Sequence, residues 1–303
     1  MDKERIKKEI LRLKEKRNAL ILAHNYQRGE VQDIADFVGD SLDLSQQAAA
    51  SDAEVIVFCG VYFMAETAAI LSPERTVLIP DSNAGCGLAD MITPRQLREA
   101  KKEHPRALVV CYVNSSAEIK ALSDVCCTSA NAVEIVKKCP VENEILFIPD
   151  QSLGKWVARQ TGRKLIFWPG YCPTHHRFLR SEIKKLKGEH PRSLIMVHPE
   201  CTEDVVDLAD AVLGTGGMVK LARESPSREF IVGTEIGLLH RLKKENPGKE
   251  FYAASHFGDC PDMKLITLEK ILWSLQEMFD KVMVEENVRA KAFLAVEKML
   301  KWS

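Results

Sequence analysis

No apolar run in this 303-residue chain approaches the ~18 residues needed to cross a bilayer. The opening stretch, Met-Asp-Lys-Glu-Arg-Ile-Lys-Lys-Glu, also lacks the apolar core of a secretory signal. Excess charge is missing too: the formal net charge is −1, so nothing here draws nucleic acid or an anionic membrane as a partner. Linker-like and low-complexity segments are absent, which argues for tightly packed units. With 46% hydrophobic and 28% charged residues, the remaining expectation is an ordinary globular protein of the cytoplasm. There, nine cysteines are for packing, catalysis or metal rather than for disulfides.

What the chain does have is a long internal repeat. Three apolar runs end at His24, Tyr112 and His198. Seventeen residues beyond each lies a hydroxyl: Ser41, Ser129 and Thr215. Five residues before each hydroxyl stands an aspartate: Asp36, Asp124 and Asp210. A cysteine closes each copy 45, 43 and 45 residues after the hydroxyl: Cys86, Cys172 and Cys260. Periods of ~20–50 residues build solenoids and propellers. This one is longer, so each copy is read as a small domain. The expected units are 1–86, 87–172 and 173–262, with helices within 263–303 packing back on the first.

Within each copy, short apolar runs of strand length alternate with helix-like stretches. Strands are expected at 19–24, 55–61 and 76–80, then near 107–113, 145–148 and 164–168, and near 193–198, 229–233 and 250–253. This pattern specifies the α/β class, here three pseudo-equivalent α/β/α domains with short parallel sheets around a central cluster site. Residues 2–17, 267–283 and 287–301 read as helices, the second with Leu268, Ile271, Leu272, Leu275, Met278 and Phe279 on one face.

Ligands of parallel α/β sheets lie at the carboxyl ends of the strands, where the repeat marks fall. Ser41, Ser129 and Thr215 can cap the helix-like stretches that follow them. Three hydroxyls in register at such ends also suit an anion with several acidic groups. Cys86, Cys172 and Cys260 can meet at one point and leave a metal centre one ligand short, as a catalytic site requires. An iron–sulfur cluster and zinc both satisfy that spacing, because none of the three belongs to a local Cys-x-x-Cys. Cys59 and Cys111 lie in strand-like runs and are assigned to packing, as by default are Cys126, Cys127 and Cys139. Cys201, directly after His198-Pro199-Glu200, is the first rival ligand.

The motifs His24-Asn25-Tyr26-Gln27, Gly39-Asp40-Ser41, Tyr112-Val113-Asn114-Ser115, Thr128-Ser129-Ala130-Asn131, Cys172-Pro173-Thr174-His175, His198-Pro199-Glu200-Cys201 and Gly233-Thr234-Glu235 together resemble the quinolinate synthase family over essentially the whole chain. The resemblance implies a transferase, a condensing dehydratase of de novo NAD biosynthesis. Such an enzyme joins iminosuccinate (iminoaspartate) to dihydroxyacetone phosphate to give quinolinate, phosphate and water, and is linked functionally to the enzyme that supplies iminosuccinate. It also implies one [4Fe–4S] cluster per chain, with one open iron, on Cys86, Cys172 and Cys260. Substrate contacts carried over by position are His24, Ser41, Tyr112, Val113, Asn114, Ser129, His198, Pro199, Glu200 and Thr215. Side-chain chemistry makes Glu200 the candidate base, Tyr26 and Tyr112 its phenolic acid/base partners, and His24 and His198 groups that orient and neutralise anions. Two departures stand out. Gly214 occupies a position where some members carry serine, and the extra cysteines that some members carry after the third ligand are absent. Two other readings of the residues remain: a metal-dependent hydro-lyase for another dicarboxylate, and a non-catalytic iron or redox sensor.

Overall fold

The computed structural model describes residues 2–303, and its sheets repeat one topology three times. The first contains β1 (Ala19–His24), β2 (Phe37–Gly39), β3 (Val55–Cys59) and β4 (Thr76–Leu78) in the order β2-β1-β3-β4. The second contains β5 (Leu108–Tyr112), β6 (Val125–Cys127), β7 (Ile145–Ile148) and β8 (Ile166–Phe167) in the order β6-β5-β7-β8. The third contains β9 (Leu194–Val197), β10 (Ala211–Val212), β11 (Glu229–Gly233) and β12 (Glu250–Ala253) in the order β10-β9-β11-β12. All pairings within them are parallel. A parallel sheet is covered on both faces by its crossovers, which explains why β3 and β7 are apolar throughout and wholly buried.

The edge strands β2, β6 and β10 are the elements that periodicity did not reveal. Each has two or three residues, too short to display alternation. They are held by the repeated aspartates. Asp36 Oδ2 accepts the Ile21 N–H at 2.8 Å, Asp124 Oδ2 the Val109 N–H at 2.7 Å, and Asp210 Oδ2 the Ile195 N–H at 2.8 Å. Each aspartate returns its own N–H to the carbonyl of the same residue. A carboxylate so bonded fixes where the edge strand joins the central one, and thereby the register.

The C-terminal helices differ from expectation in two ways. Helix Leu268–Glu277 stops early because Met278 adopts φ 54° as its left-handed cap. Phe279 is therefore left exposed rather than on the buried face. The chain then turns back along β4, where Val282 donates to Val77 O and Ile79 to Asp280 O. Helix Leu268–Glu277 packs on the first unit's Lys3–Lys16 helix. Helix Glu286–Trp302, by contrast, seats mainly on the second unit (helix Ala117–Ala121 and β6) while also touching helix Tyr62–Leu71. Ala292, Ala295, Val296 and Met299 are its buried face, so it joins two units. Among the described residues no helix is long and apolar enough to cross a membrane.

Candidate active site

The carboxyl ends of all three sheets open onto one cavity. Its wall includes His24 and Tyr112, which end β1 and β5, His198 directly after β9, and Tyr26, Asn114 and Glu200 two residues beyond each. Ser41, Ser129, Thr215, Cys86, Cys172 and Cys260 line it as well. Twelve of the fourteen candidate residues thus converge. Val113 and Pro199, the middle residues of their strand-end triplets, are buried outside the lining, in the bend or turn that follows each strand.

A latch repeated in each unit carries the cysteines to this point. Just beyond the third strand, Tyr62 N–H bonds Ala84 O at 2.7 Å, Gln151 N–H bonds Gly170 O at 2.8 Å, and Ile236 N–H bonds Gly258 O at 3.0 Å. Each acceptor lies two residues before its cysteine. The cysteine loop of every unit is therefore tied by its backbone to the turn at the end of the neighbouring strand.

The hydroxyls do not cap helices, contrary to one expectation. Asp40 caps helix Ser41–Ala50 through a capping box, and Gly214 and Asn131 occupy the cap positions of the other two. Freed from capping, two of the hydroxyls meet side chains around the cavity. Ser129 Oγ lies 3.1 Å from His198 Nε2, and Thr215 Oγ1 accepts from Asn25 Nδ2 at 2.9 Å. A Cβ at Gly214 would come within 2.8 Å of Ser129 Oγ. Glycine there leaves that hydroxyl its room.

Glu200 is the electrostatic centre. Its Oε2 lies 2.8 Å from His175 Nδ1 and 3.1 Å from His198 Nδ1, with all three side chains buried. The two imidazoles stack at 4.6 Å. Burial alone would raise the Glu200 carboxyl, but His175 and His198 more than reverse this and hold it well below the usual range. It is a carboxylate. His175 Nε2 continues the chain to Thr234 Oγ1 at 2.9 Å, and Thr234 reaches the Tyr26 hydroxyl at 2.6 Å. Burial, then the charge of Glu200, pushes both Tyr26 and Tyr112 well above the normal phenol range. They are proton donors at neutral pH, not bases. Burial, with the nearby His198, depresses His24 to about 3, and burial likewise lowers His198. Both face an anion as neutral imidazoles, so they orient it without neutralising it. Among the described residues, Arg177 is the one lysine or arginine in the cavity lining.

His175, Thr234 and Arg177 were not singled out as site residues from the sequence. His175 and Thr234 stand in the quoted motifs beside Cys172 and Glu235, and those neighbours are the signal that could have found them.

The residues present fit a thiolate-held metal group. All three cysteines are free thiols. Burial pushes Cys86 up to about 12, with the charge of Cys260 adding to it. Burial, then Glu200 and Cys86, pushes Cys172 well above its normal range, and burial raises Cys260. Three thiols that resist ionisation by burial and by mutual repulsion need a bound cation to become thiolates together. A second donor set overlaps them: Cys172, His175 and Glu200 bring their ligand atoms within 4.8 Å of one another.

The family model described as quinolinate synthetase A protein matches residues 8–301. The chain is 54% identical over 293 residues to quinolinate synthase 1 of Methanosarcina acetivorans, covering 97% of this chain and 96% of that one. It is 55% identical over 301 residues to quinolinate synthase of Dehalococcoides mccartyi strain CBDB1, covering 99% of each. Against quinolinate synthase of Thermodesulfovibrio yellowstonii it is 54% identical over 293 residues, 96% of each. The chain belongs to the quinolinate synthase family. A quinolinate synthase carrying one iron–sulfur cluster accounts for the soft thiolate donors at the meeting point of three units.

Proposed function

We propose that this cavity condenses iminosuccinate (iminoaspartate) with dihydroxyacetone phosphate to form quinolinate, phosphate and water, as a cytoplasmic step of de novo NAD biosynthesis fed by an iminosuccinate-producing enzyme. The observation that carries the reading is the meeting of three cysteine loops with three strand ends at one cavity. Cys86, Cys172 and Cys260 hold the [4Fe–4S] cluster. Held by three protein ligands, such a cluster would supply Lewis-acid chemistry through an iron left open.

The remaining work falls to side chains of the chain itself. Glu200, ionised and bonded to two imidazoles, takes protons from carbon as a base weakened by those bonds, and the His175–Thr234–Tyr26 chain connects it to a phenol able to give one back. Tyr112 donates from the opposite strand end. Ser41, Ser129 and Thr215 bond carboxylate and phosphate oxygens, and His24 adds a neutral N–H donor. Arg177 brings the positive charge that draws a phosphate ester to the cavity.

Cysteine ligation is favoured over the Cys172–His175–Glu200 set because His175 Nδ1 and Glu200 Oε2 already satisfy each other at 2.8 Å. That set would also leave the equivalent loops of Cys86 and Cys260 without a purpose. The test is anaerobic incubation of cluster-loaded protein with both substrates. Equal yields of quinolinate and phosphate are expected. A full cluster that releases no phosphate would move the assignment to a hydro-lyase acting on another dicarboxylate.

A further inference from the structure

The latch donors Tyr62, Gln151 and Ile236 make the residues before them equivalent: Val61, Asp150 and Glu235. The three differ in kind. Val61 is apolar, and Asp150 spends one oxygen capping helix Gln151–Thr161, accepting the Leu153 N–H at 2.7 Å. Glu235, like Asp150 toward the Cys172 amide, reaches its unit's cysteine, and it also holds a lysine. Its Oε1 accepts the backbone N–H of Cys260 at 3.1 Å, and its Oε2 accepts the Gly237 N–H at 2.7 Å. The same Oε1 lies 2.8 Å from Lys264 Nζ, with the glutamate side chain 1% exposed and the lysine 19%. Lys264 then crosses to the first unit and donates to Tyr26 O at 2.5 Å. Arg28, also of the first unit, donates through Nε and Nη2 to Lys264 O at 2.9 and 2.7 Å. Close approach of the two loops requires glycine at 237, where a Cβ would stand 2.5 Å from Tyr26 O.

We propose that Glu235 and Lys264 are positioning residues for the third cysteine, a buried ion pair that fixes the Cys260 amide and ties its loop to the turn carrying Tyr26. The inference rests on the reading that Cys260 holds the cluster. One carboxylate oxygen then serves both the ligand loop of the third unit and, through Lys264, the proton-donating tyrosine of the first. A charged hydrogen bond in a dry site is strong and directional. Its loss frees the Cys260 loop to move away from the cavity, while the backbone latch at Gly258 still holds the loop's other side.

The test compares Lys264→Met, Glu235→Gln, Cys260→Ala and, as a control, the exposed Lys244→Met, each reconstituted anaerobically with iron and sulfide. Iron and sulfide per chain, the rate of iron release to a chelator, and the melting temperature of cluster-free protein are measured. Glu235→Gln keeps an acceptor for the Cys260 amide but loses the ion pair, and Lys264→Met removes the tie to Tyr26. Both are expected to load a cluster and to release iron about tenfold faster than the parent, the effect of one lost charge-assisted bond. Lys244→Met is expected to release iron at the parental rate. Parental release rates for both pair variants would overturn the proposal, as would faster release that merely tracks a lower melting temperature. If Glu235→Gln fails to fold, Lys264→Met decides alone. Cys260→Ala with full iron would instead overturn the ligand assignment.

Discussion

Replacing Glu200 by glutamine separates its charge from its shape, and the surroundings allow the exchange. The oxygen that accepts from His175 and His198 at 2.8 and 3.1 Å can remain an oxygen in the amide, so both imidazoles keep an acceptor. The other terminus becomes an NH₂ group near Asn114, whose Nδ2 now lies 3.5 Å from Oε1. Asn114 Oδ1 is buried without a hydrogen-bond partner, so turning the Asn114 amide over gives the new NH₂ an acceptor. What disappears is the negative charge and the ability to take a proton. Two charge-assisted bonds become neutral ones, a change of roughly 1 kcal/mol each in stability. A general base typically contributes 10²–10⁴-fold in rate, about 3–5 kcal/mol of barrier. Glu200→Gln is therefore expected to load a full cluster and bind a dicarboxylate, yet to lose most quinolinate formation. The assay is a single anaerobic turnover, with quinolinate, phosphate and iron measured on one sample. Turnover near the parental value would refute the assignment and pass the proton transfer to the His175–Thr234–Tyr26 chain.

Alanine at Cys86, Cys172 or Cys260 is expected to abolish the cluster absorbance, while Cys59→Ala, Cys139→Ala, Cys201→Ala and His175→Ala retain it. Loss of cluster in His175→Ala with retention in Cys86→Ala would transfer ligation to the Cys172–His175–Glu200 set. In cluster-free protein, His24 protonates near 3 when folded against 6.5 ordinarily. The unfolded chain therefore binds the extra proton between those values, and stability falls as pH drops through that window. The slope from this one group is at most about 1.4 kcal/mol per pH unit. Urea unfolding at pH 7 and pH 5 measures it, and His24→Asn should flatten the dependence. Alanine at Asp36, Asp124 or Asp210 removes the same bond from each unit and should cost about 1.5–3 kcal/mol of stability. Iron content should be unchanged, and calorimetry with iron analysis checks both.

The marks that could be read from sequence were those whose spacing survives in all three copies. Strand-end His24, Tyr112 and His198, the three hydroxyls and the three cysteines recur at fixed distances because a fixed strand, turn and loop separates them. Their repetition made the α/β architecture and the convergence of loops legible. Less legible was what each mark does. The aspartates proved to be register pins, an interaction between side chain and neighbouring strand that no periodicity expresses. Ser41, Ser129 and Thr215 looked like caps, but Asp40, Gly214 and Asn131 fill those positions, a difference of one or two residues along the chain. His175 and Glu235 matter through contacts with Glu200 and Cys260 at separations of 25 residues, which only tertiary packing brings about. Helix Glu286–Trp302 presents an apolar face of Ala292, Ala295, Val296 and Met299, and its pattern does not name the unit it covers.

Three sheets of identical strand order around one cavity also amount to a trimer written on a single chain. An assembly of three separate copies would present the same side chain three times at every position about its axis. Covalent linkage lifts that restriction. Two residues beyond the equivalent His24, Tyr112 and His198 the three units present a phenol, an amide and a carboxylate (Tyr26, Asn114 and Glu200), and at the turn before the latch they present Val61, Asp150 and Glu235. Each unit can thus diverge in side-chain chemistry while its backbone stays the same. A near-symmetric frame thereby gives two unlike substrates a site with distinct sides.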